Sequence, residues 1–522
     1  MTTTSPRRGM ALLLVSVVIV LVALAAYGYL YHMQSQYRLA RYQLEQTEAR
    51  LAAMSGIEAC VSMIDQTPQA REALGDFGDN ESRFASKAIT VSTQADNEEI
   101  PWRFSVVSPI APHNRSSAAG TSISAWKYGM ENESAKLHIP TLLAWDLKTP
   151  GHARTALLNL PGANSELVDA FLDYCRDPSR SPKQLAAPEQ IAWAWSGGDW
   201  NNNYLLDPIE QQIDAFRGSR APTKSISGTT QRVTRNDEAE NRVVAWNQML
   251  TWESGTRNEN WKGQKRIFIN QQDLRSLHSE LLSRWPEPWA NFVILYRQYG
   301  SASNASKATA SQQNLQGNLA IPVPDFQIPP SKPIISPLDL IDARVSIPQK
   351  MGEPKSIQSP FLSETLQQSD YLERIIDDTT LAQQDYLEGL VDINEAPLEV
   401  LLGIPGMTST IAERCLSSRQ QTANTDRFHP GWLLKQNICD LPTFKKLLPM
   451  ITCRSDVYRV QVIGFRDEIS PLYRASVLLD GRVRPAQVKH FQHWQNWGRG
   501  FPINDGIGSS STTATSDIAR TP

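Results

Sequence analysis

Apolar and polar positions divide the N-terminal part of the chain into two halves of one predicted helix. Residues 10–31 carry no charge and are almost all apolar. At about 1.5 Å of rise per residue, this run is long enough to cross a hydrocarbon layer of about 30 Å. Residues 34–64 contain no proline and are rich in strong helix formers. The pattern therefore predicts one helix that begins in a membrane and continues beyond it.

Past the membrane run, apolar residues become sparse and form a narrow seam along the predicted helix. Its members are Tyr37, Leu44, Leu51 and Met54. Residues spaced by seven lie on nearly the same side of an α-helix. We expect this seam to be a surface on which other helices pack.

Charged residues beside the apolar run indicate its orientation. Arg7 and Arg8 precede the run directly, which favours a cytoplasmic N-terminus, whereas Arg38 and Arg41 follow it and weaken that asymmetry. The alternative is a cleaved secretory signal peptide. The run is longer than the apolar region of about 7–15 residues that is typical of such peptides. We therefore expect a single-pass membrane protein.

Alternation of large and polar residues predicts strands at both ends of the polar part. One strand covers residues 102–107, and two more, at 457–464 and 472–479, form a hairpin. The predicted fold class is α+β: a long N-terminal helix with a small antiparallel sheet, and a large, mostly helical insertion between the first strand and the last two. The composition predicts linkers or tails at 76–99, 218–240, 301–337 and 505–522, of which the third reads as a flexible and then extended proline-rich spacer.

A helical hairpin pattern recurs three times in the insertion. In the clearest copy, Asn394 precedes a short apolar helix at Leu398–Leu402, and Pro405 and Gly406 form a tight turn before the next helix. The first copy has its turn at Pro161 and Gly162, and the middle copy, around Trp285-Pro286, has lost the glycine. The pattern predicts helix-hairpin-helix (SAM-like) repeats.

Units of this kind often bind DNA, so a DNA-binding protein is the main rival interpretation. A DNA-binding hairpin typically has the order apolar-Pro-Gly-apolar-Gly, which brings backbone amides close to a phosphate. Asn164 and Thr408 replace the second glycine here, and no Lys or Arg directly follows any turn. The charge is also balanced, with 51 Lys and Arg against 54 Asp and Glu. We expect a structural role and no nucleic-acid partner.

Residues 199–210 have the ligand spacing of a calcium loop. Oxygen-bearing side chains occupy positions 1, 3, 5, 9 and 12 of a twelve-residue loop, and a backbone carbonyl is available at position 7, in the order of an EF-hand. Tyr204 stands where glycine usually makes the sharp turn. The alternative is an asparagine-rich turn that caps a following helix. We predict weak Ca²⁺ binding by Asp199, Asn201, Asn203, Leu205, Asp207 and Glu210.

Other chemistry-bearing residues give weaker signals. The five cysteines have no zinc-ligand spacing; Cys439 and Cys453 are a candidate bridge, with separate buried thiols as the alternative. No catalytic motif occurs, so we expect no enzyme. The adjacent acids Asp377 and Asp378 are expected on a solvated face. Two tryptophan clusters are expected to pack in cores or interfaces, with carbohydrate binding as the alternative: Trp193, Trp195 and Trp200, and Trp246, Trp252 and Trp261.

The N-terminal design resembles the first helix of type IV pilins and pseudopilins. The segment Arg7-Arg8-Gly9-Met10 is similar to a prepilin peptidase site, which implies cleavage after Gly9 and a mature N-terminus at Met10. Most pilins carry a glutamate at mature position five, where this chain has Leu14. Together with residues 390–414 and 451–479, this pattern resembles the protein K family of minor pseudopilins in type II secretion systems.

The resemblance implies a filament subunit and its setting. Implied partners are the lipid bilayer, prepilin peptidase, the major pseudopilin and other minor pseudopilins. The chain would sit in the inner membrane with its N-terminus in the cytoplasm and its bulk in the periplasm, and relatives of this family bind calcium. The alternative is a membrane-anchored helix-hairpin-helix protein of the competence type that binds DNA.

The predicted organisation follows these boundaries. The chain begins with a leader (1–9), a transmembrane and amphipathic pilin-type helix (10–66) and the first strands of a pilin-like sheet (100–125). Two helical units follow, the first with the calcium loop (126–217) and the second without it (218–300). The remainder comprises a Ser/Pro-rich linker (301–337), the third helical unit (338–453), the last strands of the sheet (454–504) and a disordered tail (505–522).

Overall fold

A computed structural model describes most of the chain. The described residues are 8–75, 77–89, 101–110, 126–177, 194–197, 199, 204, 245–301, 321–349, 354–365, 371–422, 426–467, 470–494 and 500–501. The predicted linker at 218–240 and the predicted tail at 505–522 therefore lie outside the described residues.

One unbroken helix forms the N-terminal part of the protein. Helix α1 covers Arg8–Ile64, 57 residues without a kink-forming proline. Its bounds confirm the prediction that the apolar run and the amphipathic segment form one helix. Only its last part is buried, because Ala49, Ala53, Ile57, Cys60 and Ile64 face a hydrophobic core.

That core lies between α1 and one face of an antiparallel sheet. Its strands are β1 Lys87–Ala88, β2 Arg103–Pro109, β3 Trp126–Tyr128, β4 Glu131–Asn132, β15 Val457–Phe465, β16 Tyr473–Asp480 and β17 Gln487–His493. The strand order is β1-β2-β15-β16-β17, with β3 paired to β2 and β4 paired to β15. The predicted strands are confirmed as β2, β15 and β16, whereas β1, β3, β4 and β17 were not predicted individually.

The two faces of the sheet have different cores, as alternation along a strand requires. Val460 and Val462 of β15 point toward α1. Ile463 and Phe465 point to the other face, where they pack with Tyr204 and Phe501. The face opposite α1 is therefore covered by segments from distant parts of the chain.

The chain leaves the sheet after β4 and returns at β15, so a large insertion lies between them, as predicted. Its helices are short. With the two that follow α1, they are α2 Pro68–Leu74, α3 Glu81–Phe84, α4 Ile139–Lys148, α5 His152–Leu158, α6 Ser165–Arg176, α7 Leu274–Leu282, α8 Glu287–Tyr299, α9 Tyr371–Asp378, α10 Leu398–Leu402, α11 Ser409–Gln421, α12 Trp432–Lys435 and α13 Leu441–Leu447.

Three two-residue parallel pairs bracket successive segments of the insertion. Strand β5 pairs with β6, β8 with β11, and β13 with β14. Each first strand precedes a helical segment and each partner follows it. The bounds, with those of the remaining short strands, are β5 Leu137–His138, β6 Leu250–Thr251, β7 Thr256–Arg257, β8 Ile267–Phe268, β9 Arg344–Ile347, β10 Lys355–Gln358, β11 Thr379–Thr380, β12 Tyr386–Leu387, β13 Val391–Asp392 and β14 Ile451–Thr452.

Two predicted linkers are more ordered than their composition suggests. Within 76–99, Phe77 and Phe84 are buried against the sheet, so the linker prediction is wrong for the first half of this range. In the proline-rich stretch, residues 321–337 are extended but fixed, because Arg297 of α8 donates to the Lys332 carbonyl at 2.9 Å and Ile334 is buried. Residues 302–320 lie outside the described part.

The structure decides between the two alternatives for the cysteines and overturns the prediction for Asp377. Cys439 and Cys453 are separate thiols, which was the second alternative, and all five cysteines are free. Asp377 is not on a solvated face: it is buried and pairs with Arg454 at 3.0 Å. Asp378 lies beside it, where it accepts a hydrogen bond from the Trp285 indole at 2.9 Å. Both acids hold the second helical segment to its neighbours.

Candidate functional site

The apolar half of α1 has no partner within the described chain. It is the one described helix that is long and apolar enough to cross a membrane, and its most apolar window is entirely exposed. An exposed apolar surface of this size requires another apolar environment. Helix α1 is therefore compatible with a single membrane anchor. Gly9 and Met10, the predicted processing site, lie in its first turn.

The predicted seam stays exposed beyond the membrane run. Tyr37, Leu44 and Leu51 are 69%, 58% and 61% exposed, and only Met54 is partly buried. At 3.6 residues per turn, Tyr37, Leu44 and Leu51 point about 180° away from the stripe that faces the sheet. One face of the second half of α1 thus packs on the sheet, and the opposite apolar face is not covered by any of the described residues.

Small residues let α1 lie very close to the sheet. A Cβ atom on Gly464 of β15 would meet the Ala49 carbonyl oxygen at 2.0 Å and the Ala53 nitrogen at 2.6 Å. On the helix side, a Cβ on Gly56 would meet ring atoms of Phe104 at 2.7 Å. These contacts leave no room for side chains, so glycine at both positions sets the distance between helix and sheet.

A buried ion-pair network holds the C-terminal end of α1. Arg71 and Arg257 both donate to the carbonyl of Ile64, and both pair with Asp456, at 2.5 Å and 2.8 Å. Burial alone would raise the pKa of Asp456, but the two guanidinium charges outweigh it and lower the pKa to about 2. The network joins α1 to the insertion and to β15. Because its members lie far apart in the sequence, no local pattern indicated it.

The two predicted turns with Pro-Gly each connect two consecutive helices that pack against each other. Gly162 joins α5 to α6 and Gly406 joins α10 to α11, each with a positive φ that glycine adopts without strain. Pro161 and Pro405 are partly buried, and both glycines are exposed. The middle segment also has two helices, α7 and α8, around Trp285-Pro286. Whether the three segments are copies of one unit stays a prediction.

The residues that replace the second glycine act as helix caps. The Asn164 side chain accepts a hydrogen bond from the Leu167 amide at 2.9 Å, and the Thr408 hydroxyl accepts one from the Ile411 amide at 3.3 Å. A cap satisfies a donor that a phosphate oxygen would otherwise accept from. In both hairpins the protein's own side chain therefore satisfies one of these donors.

Only two positions of the predicted calcium loop lie among the described residues. Asp199 is buried, and its carboxylate accepts a hydrogen bond from the Tyr204 amide at 2.8 Å. Tyr204 has a φ of 66°, the left-handed conformation that the sixth position of such a loop requires. These two residues fit the loop. Asn201, Asn203, Leu205, Asp207 and Glu210 lie outside the described residues, and no metal-binding group occurs among the residues that are described.

The tryptophans have different environments. Trp246 is fully buried, Trp195 packs on the large core of the insertion, and Trp252 is partly buried there as well. Trp261 instead lies half-exposed on the wall of a cleft. Trp193 and Trp200 are outside the described residues.

Comparison with known proteins adds no relative. No family model, curated protein or solved structure matches the chain.

Proposed function

We propose that the chain is a minor pseudopilin that assembles at the tip of a type II secretion pseudopilus and supports protein secretion across the outer membrane. The observation that carries the proposal is α1: a single helix that is fully exposed and apolar at first and then packs on an antiparallel sheet through one face. A helix with this division is suited to leave a membrane and join a bundle of similar helices.

The exposed seam supplies the second argument. Tyr37, Leu44 and Leu51 stay apolar and open on the side of α1 that faces away from the sheet. Helices associate through apolar residues that recur on one side. In the proposed filament this seam packs against the first helices of the major pseudopilin and of other minor pseudopilins.

The bulk of the insertion supports a position at the tip. It is attached at the end of α1 that lies away from the membrane, through Ile64 and the Asp456 network. A large domain at that end leaves room for further subunits only on the membrane side. The proposed role is therefore to cap the filament, with the chain in the inner membrane, the N-terminus in the cytoplasm and the bulk in the periplasm.

Calcium binding remains part of this proposal. The described geometry of Asp199 and Tyr204 fits the first and sixth positions of the loop. When bound, Ca²⁺ would fix the loop through its oxygen ligands. Calorimetry with Ca²⁺ tests the site: we expect binding heat for the parent protein and none for Asp199→Ala. Equal heats would remove this site and would leave the filament proposal untouched.

Mass spectrometry of the N-terminus in native membranes tests the main proposal. We expect the mature chain to begin at Met10, and Gly9→Val to retain residues 1–9. Gly28→Val serves as the control, because it places the same substitution in α1 at a glycine that has no neighbour within 4 Å. An uncut parent chain, in cells that process related subunits, would contradict the proposal.

Photo-crosslinking tests the assembly face. A photoreactive residue at position 44 should give crosslinks to other pseudopilins. The same residue at position 43 should give few, because Gln43 is exposed but points about 100° away from Leu44. Equal crosslinking from both positions would show that the seam is not the contact.

The DNA-binding alternative has less support. The side chains of Asn164 and Thr408 accept hydrogen bonds from the Leu167 and Ile411 amides, and no observation on the described residues favours a phosphate ligand. A retardation assay with DNA at low salt separates the two functions, since phosphate binding is strongest there. A shift at low salt that disappears at high salt would favour the alternative.

A further inference from the structure

A long cleft with an aromatic ridge lies between the second and third helical segments. Its larger cavity has a volume of about 700 Å³, and a second cavity of about 340 Å³ lies on the other side of the ridge, toward α2. Trp261 and Phe428 line both cavities, with ring centroids 4.9 Å apart. Volumes of this size are typical of sites for small molecules.

Hydrogen bonds hold the Trp261 side of the ridge in place. The Trp261 amide donates to Asp377 at 2.8 Å. The side chain of Asn260 closes the turn, since it accepts from the amides of Lys262 and Gln264 and donates to Asp378 at 2.9 Å. The indole ring therefore lies on a tight turn that hydrogen bonds hold in place, which lowers the entropic cost of ordering the ring when a ligand binds.

The cleft is polar, but its carboxylates are neutralised by the protein. Asp377 pairs with Arg454 at 3.0 Å, Asp378 lies 3.6 Å from Arg284, and Glu373 pairs with Lys435. A charged ligand would therefore meet little uncompensated charge from these acids. A carboxylate can accept about four hydrogen bonds, so oxygens already in ion pairs still accept bonds from hydroxyl groups.

These properties select one chemical class of ligand. Flat aromatic rings bind the apolar C–H face of a sugar ring, and planar carboxylate, amide and guanidinium groups bind its hydroxyls in both directions. An extended peptide is recognised by a ladder of backbone hydrogen bonds. Among the described residues lining the two cavities, only Asp392 and Tyr458 belong to strands, too few for a ladder.

We propose that the two cavities bind a neutral oligosaccharide, with one sugar ring stacked on the Trp261–Phe428 ridge and its neighbours in the cavities on either side. This binding site is separate from the filament contacts of α1, and its test does not depend on assembly.

The experiment is a titration of the full chain in a zwitterionic detergent without sugar headgroups, followed by calorimetry. The probes are chitotetraose, cellotetraose and maltotetraose. We expect at least one to bind, and we expect Trp261→Ala to weaken that binding about tenfold, as the loss of an aromatic contact does. Trp145→Ala is the matched control, because Trp145 is also half-buried but lies on α4, away from the cleft. It should leave the affinity unchanged.

Two further variants control for misfolding and for the charge of the ligand. Ser283→Trp fills the larger cavity from an exposed position on its rim, so the fold should persist while binding is lost. The side chain of Lys262 is exposed and has no partner among the described residues, so Lys262→Glu should change the affinity for a neutral sugar by less than about twofold, as surface charges do.

Three results would overturn the proposal. The first is that none of the three oligosaccharides binds to protein whose circular dichroism matches that of the parent. The second is saccharide binding that Trp261→Ala and Ser283→Trp leave unchanged, because the sugar would then bind elsewhere. The third is that an acidic peptide binds in the cleft instead, with an affinity that Lys262→Glu and high salt both abolish.

Discussion

The distance between α1 and the sheet should be sensitive to a single methyl group. In Gly464→Ala, the added Cβ would lie 2.0 Å from the Ala49 carbonyl oxygen and 2.6 Å from the Ala53 nitrogen. Both atoms belong to the helix backbone, which cannot move aside as a flexible side chain does. The last turns of α1 must therefore shift away from β15 as a body.

The cost follows from the kind of atom that is met. Overpacking a core by a methyl group costs about 1–3 kcal/mol, and we expect the upper end, about 3 kcal/mol, because backbone must move. For Gly56→Ala the nearest atoms are side-chain atoms of Phe104 and Val462, so we expect about 1–2 kcal/mol. Gly28→Ala meets nothing within 4 Å and should stabilise the helix by about 0.5–1 kcal/mol.

Labelling of Cys60 with a maleimide measures this contact directly. Cys60 lies on the face of α1 that packs on the sheet, where its thiol is fully buried, and burial raises its pKa to about 12, so it reacts only when the helix leaves the sheet. A loss of about 3 kcal/mol should raise the labelling rate about 100-fold, since each 1.4 kcal/mol is a factor of ten. Peptide mass spectrometry resolves each cysteine, so Cys415, buried in the third helical segment, reports global unfolding.

Two outcomes would contradict the prediction for Gly464→Ala. If the maleimide labels Cys60 at the same rate in the Gly464→Ala and Gly28→Ala variants, the close approach of α1 to the sheet does not contribute to the stability of this contact. If Cys415 becomes as reactive as Cys60, the variant unfolds the whole domain, and the helix does not detach by itself.

Two further predictions concern the insertion and its attachment. Asp456→Asn leaves two buried guanidinium groups without their counter-charge and should lower the free energy of unfolding at pH 7 by about 3 kcal/mol, measured with denaturant. The pKa of Asp456 is lowered from its ordinary value of 3.8 to about 2 in the folded state, so the ionised carboxylate stabilises the fold above pH 3.8, and this stabilisation is lost as the pH falls toward 2. The free energies of unfolding of the parent and the variant should therefore become equal near pH 2. A difference that stays constant with pH would refute this. Asn164→Ala and Thr408→Ala should each lower the free energy of unfolding by about 1 kcal/mol through loss of a helix cap, and neither variant should retard DNA in a gel. Stability equal to that of the parent would show that the caps do not stabilise the fold.

Local patterns in the sequence predicted the elements that depend on local physics. The long helix, the strands β15 and β16, and the short helix Leu398–Leu402 lie where hydrophobic periodicity and turn residues indicated them. Periodicity reports which face of an element is buried, but not what lies against it. For that reason the seam at Leu44 was visible in the sequence, whereas the opposite contact of Ala49 with Gly464 was not.

The parallel strand pairs of the insertion share a sequence feature that hydrophobic periodicity does not detect. The strands that close the three segments are Leu250–Thr251, Thr379–Thr380 and Ile451–Thr452. In each, the threonine at the second position accepts a hydrogen bond from the amide two residues later. A threonine that ends a two-residue strand and turns the chain is a local feature. It recurs after every helical segment, but two-residue strands are too short for an alternation pattern to reveal.

The three closing turns lead the chain back to one place, the C-terminal end of α1. After the first, Arg257 reaches the Ile64 carbonyl and Asp456. After the second, Tyr386 pairs in register with Arg257. After the third, Asp456 itself precedes β15. A helix transmits displacement along its axis because its backbone hydrogen bonds run in that direction. In the proposed filament, a displacement of α1 along its axis would therefore act on the junction that all three segments share, the Asp456 network at Ile64.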